Sequence, residues 1–326
     1  MIDAEAMYEV LRDERRLQEH AKLVIGTGSL VARIRESALG APLAALTAQV
    51  ATADDTQPLL EAIGEMFTDD FLLALLRREL DNFSANDLYT LPAAVIESET
   101  LSGVLLYSDS NVTVTLSAFS PADVALRRHA RAAGLAKKQV GITMSAVDAM
   151  LRFVRAGRTT MRLWSSGLIG FDTPLSSDIA CADGETREVG PGSRVFVKGG
   201  RQSWTFDSAS EPVLMLLVAA KRINSPVNAQ YDSATRRLAC VSAADDKSSR
   251  VQILSTFLRS MRPDVARDVL PGALAHRDHF VRWHVMRELV ASDAATARPH
   301  LERMRESDPH AQVARAAAAT IELYEE

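Results

Sequence analysis

Two strand-like runs in the middle of the chain carry polar and aromatic side chains of the types that bind small ligands. These residues are Arg162, Trp164, Lys198, Arg201, Gln202 and Trp204. Within each run, residues two positions apart extend to the same side of a strand. Guanidinium groups bind anions through paired hydrogen bonds, and indole rings stack on aromatic groups or cations. We therefore predict a site for an anionic or aromatic small molecule, or for a peptide.

A second interpretation of these residues is structural. Trp164 and Trp204 would fill the interior of a β-structure, while Arg162 and Lys198 would lie in solvent. A shift of one residue exchanges the two faces of a strand. The sequence alone leaves both interpretations open.

Histidine and cysteine do not occur in a metal-binding pattern. Five of the seven histidines are near the C-terminus, without the HExxH spacing of zinc proteases: His276, His279, His284, His300 and His310. Cys181 and Cys240 are too few for a disulfide framework and fit a reducing compartment. The sequence contains no dinucleotide fingerprint, phosphate loop or GxSxG motif. We predict no metal, no cofactor and no catalytic residue.

The composition is that of an ordinary globular protein and argues against two classes of partner. The 326 residues include 37 Lys and Arg against 42 Asp and Glu, a net charge of −5. Such a chain has no overall attraction for nucleic acid or an anionic membrane surface. No apolar run approaches the ~20 residues that span a bilayer, and the N-terminus lacks a secretory signal pattern. A cytoplasmic location is predicted.

Hydrophobic periodicity divides the chain into three parts. Residues 1–86 show the spacing of amphipathic helices, with helix starts at Thr56, just before a proline, and at Thr68, before two aspartates. Residues 87–222 consist of short β-branched and aromatic runs separated by glycine and proline turns. Residues 246–326 return to a helical pattern. The predicted fold class is a multidomain α+β protein with a helical N-terminal subdomain.

Three pairs of turn residues separate the strand-like runs in the second half of the β-region. They are Pro191-Gly192, Gly199-Gly200 and Glu211-Pro212. Their order resembles the second conserved motif of the cupin superfamily, and the first motif would begin at Gly157. The resemblance extends over about residues 150–220 and implies a cupin-like antiparallel β-barrel.

This resemblance places other residue types where cupins carry metal ligands. The usual His-x-His pair is replaced by Arg162, Leu163 and Trp164, and the later histidine by Gln202 or Ser203. A transition-metal site needs several converging imidazole and carboxylate ligands. The resemblance therefore implies a barrel without metal, whose concave mouth is a binding pocket formed by the six residues named first.

The C-terminal part contains a weak internal repeat. Residues 276–289 are similar to residues 306–323, since each segment has an Asp before a helix and a Val one turn into it. Repeated helices of this kind resemble HEAT repeats, which usually hold a protein or peptide. The resemblance implies a protein partner for the C-terminal helices.

These features predict a non-catalytic binding or scaffold protein, in which the barrel recognises a small molecule or peptide and the helices contact a protein. The alternative is a divergent cupin enzyme, an oxygenase acting on a peptide or small metabolite. Its non-standard metal site would recruit His129, Asp172, Asp178 or a residue from the helices. A homodimer is compatible with both the scaffold and the enzyme hypothesis. The sequence does not identify the ligand, nor whether the β-region is one barrel or a degenerate pair.

Overall fold

The computed structural model describes residues 29–85, 89–97, 101–122 and 141–325. In these ranges four helices precede thirteen strands, and five helices follow them. The helices are α1 (Leu30–Glu36), α2 (Gly40–Val50), α3 (Gln57–Met66), α4 (Asp69–Ala85), α5 (Asp246–Met261), α6 (Pro263–Ala273), α7 (His279–Ser292), α8 (Ala294–Ser307) and α9 (Ala311–Glu325). The strands are β1 (Val95–Glu97), β2 (Ser102–Ser108), β3 (Val112–Phe119), β4 (Ile142–Met144), β5 (Val147–Arg155), β6 (Thr159–Ser166), β7 (Cys181–Ala182), β8 (Thr186–Val189), β9 (Arg194–Val197), β10 (Gln202–Ala209), β11 (Val213–Ile223), β12 (Val227–Tyr231) and β13 (Leu238–Ala243).

Both helix starts predicted in the N-terminal part are present. α3 begins one residue after Thr56 and has proline in its first turn, and α4 begins at Asp69 with two aspartates in its first turn. Those carboxylates lie at the positive end of the helix dipole. Thr56, however, makes no side-chain cap, and its hydroxyl donates to Asp148 of β5 at 2.7 Å. Thr56, which the sequence predicts at the start of a helix, therefore joins α3 to β5 of a sheet.

Helices α1 to α4 cover one face of the largest sheet. Buried side chains from these helices, including Ile63 and Phe67, belong to the same apolar core as Met150 of β5 and Val218 of β11. The boundary predicted at residue 86 therefore does not separate two hydrophobic cores. Residues 29–85 of this part are mainly helical, as predicted, and they pack as one unit with the sheet.

Two antiparallel sheets face each other in the centre of the molecule. One has six strands in the order β1-β2-β3-β11-β5-β9, and the other has the order β10-β6-β7, with β8 also paired to β6. Side chains between them form an apolar core that includes Phe153, Met161 and Met215. The predicted antiparallel β-structure is confirmed. The closed barrel is a wrong prediction, because the described strands are divided among separate sheets.

Glycine turns explain this division into two sheets. The chain passes from β5 in the first sheet to β6 in the second through Gly157, which has a φ of +52°. It passes from β9 to β10 through a turn in which Gly200 has a φ of +72°. Residues with a Cβ seldom adopt a positive φ, so these corners require glycine. Each corner moves the chain to the opposite sheet, which produces a sandwich.

A third sheet, in the order β13-β12-β4, packs against the other side of the four-stranded sheet. Ile142 and Tyr231 are buried in the core between these two sheets. Strands β12 and β13 lie beyond residue 222, where the predicted β-region ends, so this boundary is corrected to Ala243. Both strands are short and mix apolar with polar residues, which gave a weak strand signal.

Helices α5 to α9 form an array with an apolar core of its own, including Val285, Leu289 and Leu301. The repeated pattern is present, since Val281 and Val313 are both buried one turn into α7 and α9. The helical character of this part is confirmed, and the assignment to HEAT repeats remains a prediction. Among the helices described here, none is both long and apolar enough to cross a membrane.

The helical array is fixed to the β-region through a loop between β6 and β7. The amide N of Leu175 donates to Gln312 Oε1 at 3.0 Å, and Gln312 Nε2 donates to the carbonyl of Leu175 at 2.9 Å. Phe280 of α7 packs on the core beneath the third sheet. The array and the β-region are thus joined by polar and apolar contacts.

We expect Gly200→Ala to lower the free energy of unfolding by about 1–2 kcal/mol, the cost of a left-handed backbone at an L-residue. The added Cβ would also lie 2.7 Å from Leu168 Cδ1 and 3.0 Å from Ser225 Cβ. Urea unfolding followed by circular dichroism measures the change. Gly167→Ala is the matched control, because a Cβ there meets no atom within 4 Å. Equal stability of the two variants would contradict the requirement for glycine at this corner.

Candidate functional site

Arg162 lies on β6 but faces away from the interior of the sandwich. Met161 is buried between the two facing sheets and Leu163 packs beside it, so the alternate residues of β6 extend to the other side. There Arg162 Nη2 lies 2.8 Å from Asp207 Oδ2, and this hydrogen bond raises the pKa of the guanidinium. Arg162 also lies 5.6 Å from the ring centre of Trp164. The expectation that Arg162 meets a ligand inside the barrel is therefore corrected.

Trp164 is part of the core between the four-stranded and three-stranded sheets. Its indole Nε1 donates to Thr205 Oγ1 at 3.0 Å. Trp164 therefore fills part of a protein core, as the structural interpretation of the sequence expects. That interior is not the one between the two facing sheets.

Trp204 lies on the opposite face of the same sheet from Trp164. It is paired with Leu163 across β6 and β10 and packs on the core of the sandwich. Its ring centre is 5.2 Å from that of Phe206, which in turn lies 4.4 Å from Phe119. The two tryptophans that were expected to share a site are therefore separated by the thickness of a sheet.

Lys198, Arg201 and Gln202 belong to the turn between β9 and β10. Gln202 Oε1 accepts a hydrogen bond from the amide N of Lys198 at 2.9 Å, so this side chain closes the turn. Arg201 is exposed, and its carbonyl accepts from the amide N of Ser166 at 2.8 Å. Lys198 Nζ lies 3.3 Å from Asp148 Oδ2. These three residues stabilise a corner of the sandwich and are not combined with Trp204 into one pocket.

Asp148 is the polar centre of this region, and sequence analysis missed it. Its side chain is 2% exposed. Besides Lys198, it accepts from Thr56 Oγ1 at 2.7 Å, from the amide N of Gly199 at 2.8 Å and from Asn224 Nδ2 at 2.7 Å. The one signal in the sequence is an isolated acid in the otherwise apolar start of β5. Both carboxylate oxygens accept hydrogen bonds, so the group anchors the surrounding structure.

The face of the second sheet that lines the sandwich is apolar where it is partly open. Leu163, Trp204 and Phe206 are partly exposed, and Leu217 lies opposite them on the first sheet. Aromatic surfaces of this kind favour apolar or aromatic groups over charged ones. An aromatic ligand at this face remains a prediction. The basic residues predicted to bind an anion lie elsewhere.

Of the residues considered for a non-standard metal site, Asp172 and Asp178 are described, and both lie in the loop between β6 and β7. His129 lies outside the described residues. Asp178 Oδ1 is 3.4 Å from Arg237 Nη1 on an exposed surface. Within the ranges that the structure describes, no group of three or more His, Cys, Asp or Glu has the geometry to hold a metal ion.

Two buried histidines lie where the helical array meets the β-region. His279 and His310 stack with ring centres 3.7 Å apart and planes 3° from parallel. His279 Nε2 and both ring nitrogens of His310 have no hydrogen-bond partner among the described residues. Burial, with smaller contributions from His310 and Arg282, lowers the pKa of His279 to about 4. Burial also lowers the pKa of His310, so both rings are neutral at neutral pH.

Comparison with known proteins gives only partial structural likeness. No family model matches the sequence, and no curated protein matches it. An RmlC-like cupin from Shewanella frigidimarina is 9% identical, with a TM-score of 0.25, over 40% of this chain and 86% of that one. A cupin domain from Bordetella pertussis is 11% identical, with a TM-score of 0.22, over 39% of this chain and 99% of that one.

The same comparison finds Pac13 from Streptomyces, described as a nucleoside dehydratase. It is 11% identical, with a TM-score of 0.24, over 39% of this chain and 75% of that one. All three likenesses are confined to about two-fifths of the chain at low TM-scores.

Asp148→Ala is expected to lower the free energy of unfolding by about 1–3 kcal/mol, the cost of leaving buried hydrogen-bond donors without an acceptor. The substitution leaves the buried donors of Gly199, Asn224 and Thr56 unpaired. Urea unfolding measures the loss. Should this variant fail to fold, Thr56→Val removes a single donor and is expected to cost about 1 kcal/mol. Asp207→Ala, on the exposed side of β10, is the control, and a comparable loss there would refute a special role for Asp148.

Acidification from pH 7 to pH 5 is expected to lower the free energy of unfolding by about 2 kcal/mol through His279. The unfolded chain takes up a proton near pH 6.5, whereas folded His279 does so only at about 4, so protons favour the unfolded state in this window. Urea unfolding at both pH values measures the loss. His279→Phe keeps an aromatic ring that cannot titrate, and the loss is then expected to be smaller. An unchanged pH dependence in this variant would assign the effect to other groups.

Proposed function

We propose that this protein is a non-catalytic binding and scaffold protein built on a cupin-type β-sandwich. The inner face of the sandwich takes an apolar or aromatic group of a small molecule or peptide, and the C-terminal helices contact a protein partner. The observation that carries the proposal is the partly open aromatic surface formed by Trp204 and Phe206.

The sandwich corners support the cupin-type assignment. Gly157 and Gly200 occupy crossings between the two sheets, at positions where the motif resemblance places turns. Glu211, before the last strand of the motif, accepts from Arg155 Nε at 2.9 Å and so ties the start of β11 to the end of β5. The residues that carry the resemblance therefore shape the architecture.

The separation of charge from the inner face defines the ligand chemistry. Arg162 is engaged by Asp207 on the outer side of the sheet, and Lys198 is engaged by Asp148 at the corner. A charged head group would lose its water at the inner face without gaining a counter-ion from these residues. The ligand is therefore uncharged where it enters the sandwich, and its binding is driven by burial of apolar surface.

Titration with N-phenyl-1-naphthylamine, an uncharged aromatic probe that fluoresces in apolar surroundings, tests this site. Trp204→Leu is expected to weaken binding about tenfold, which corresponds to about 1.4 kcal/mol of lost contact. Trp164→Leu is the matched control, because it makes the same change on the opposite face of the sheet. Equal affinities of the two variants, or no binding by the unaltered protein, would refute the inner face as a ligand site.

Measurement of bound metal distinguishes the scaffold proposal from the alternative, a divergent cupin enzyme with a metal site. The purified protein is incubated anaerobically with ferrous, manganous, nickel and zinc ions, and bound metal is measured after desalting. Binding far below one metal per chain supports the scaffold proposal. Binding near one per chain would replace it with the divergent enzyme.

A further inference from the structure

The helical array contains a groove that the proposed ligand site does not use. It encloses about 480 Å³ between the connection of α6 to α7 and the C-terminal half of α8. Its walls combine apolar and basic side chains, including Leu274, His276, Arg277, His300, Arg303 and Met304. Of the residues lining it, Asp308 alone is acidic.

Positive charge is concentrated in this groove although the whole chain carries −5. Arg303 is exposed and forms no ion pair with any residue in the described part of the chain. Arg277 is 61% exposed and pairs with two carboxylates, those of Asp245 at 3.1 Å and Asp278 at 3.6 Å. The guanidinium group of Arg303 is therefore available to an anionic partner, and that of Arg277 is accessible beside its two carboxylates.

Asp308 does not cancel this charge, because it is already paired. Its carboxylate is 2.7 Å from Arg282 Nη2, and the two side chains are only 3% and 9% exposed. Arg282 Nη1 also donates to the carbonyls of His276 and Arg277, at 2.9 and 3.0 Å. A buried ion pair thus fixes the loop that carries two of the groove's basic residues.

The tautomer of His276 adds a donor to the same wall. Its Nδ1 accepts a hydrogen bond from the amide N of Asp278 at 3.1 Å. In the neutral ring the proton is therefore on Nε2, which can donate to a carboxylate. Leu274 and Met304 supply apolar surface in the same groove.

We propose that this groove binds an acidic peptide segment of a partner protein, in which an apolar side chain lies beside the carboxylates. Arg277, Arg303 and His276 bind the carboxylates, and Leu274 and Met304 contact the apolar side chain. A free phosphate ion would use the cations and leave the apolar wall unfilled. The inference rests on the protein-partner half of the proposed function and is independent of the inner face of the sandwich.

Fluorescence anisotropy with labelled short peptides tests the groove on the full chain. One set alternates Glu with Leu, Phe or Val, and the matched set replaces every Glu with Gln. The acidic set is expected to bind, to weaken as salt rises, and to lose about tenfold or more in affinity in Arg303→Glu. Arg305→Glu is the control, because it reverses an exposed charge on the same helix outside the groove.

Each other result overturns the inference. Equal binding of the Glu and Gln sets would exclude recognition of carboxylates. Equal losses in Arg303→Glu and Arg305→Glu would place the peptide elsewhere. Displacement of the peptide by inorganic phosphate at the same concentration would make a small anion the occupant. Absence of binding by every acidic peptide would refute the groove, while the probe titration at Trp204 would remain unaffected.

Discussion

A buried carboxylate needs hydrogen-bond donors, and Asp148 receives four of them from three separate segments of the chain. Thr56 comes from the start of α3, Lys198 and Gly199 from the β9–β10 corner, and Asn224 from the turn after β11. Each donor is held by its own element, so all of these elements must be in place together. The docking of the N-terminal helices, the sandwich corner and the approach to the third sheet therefore depend on one side chain.

Local signals in the sequence predicted the parts of the fold that local physics determines. A proline and a pair of aspartates predicted the starts of α3 and α4. The glycine-containing turns predicted the places where the chain crosses between the two sheets. The donors of Asp148 lie up to 92 residues away in sequence, so no spacing rule could find them. The face to which Arg162 extends depends on a single residue of register. Burial of Met161 against the opposite sheet determines this register, so Arg162 extends to the outer side.

The positions at which the motif resemblance would place metal ligands have separate structural roles in this protein. Arg162 and Trp164 serve the outer side of the second sheet, and Gln202 closes a turn. What remains on the inner face is aromatic. The charged side chains of Arg162 and Lys198 are instead paired outside this inner face, with Asp207 and Asp148.

The pairing of Gln312 with Leu175 limits how this protein can change over evolutionary time. One amide side chain satisfies both backbone groups of a residue in the β6–β7 loop, as a neighbouring strand would. Surface loops ordinarily accept insertions and deletions. Here a change in the length of the loop would shift Leu175 away from α9 and leave its backbone groups unpaired. The loop and the last helix must therefore vary together, and the array is not a module that can be exchanged freely.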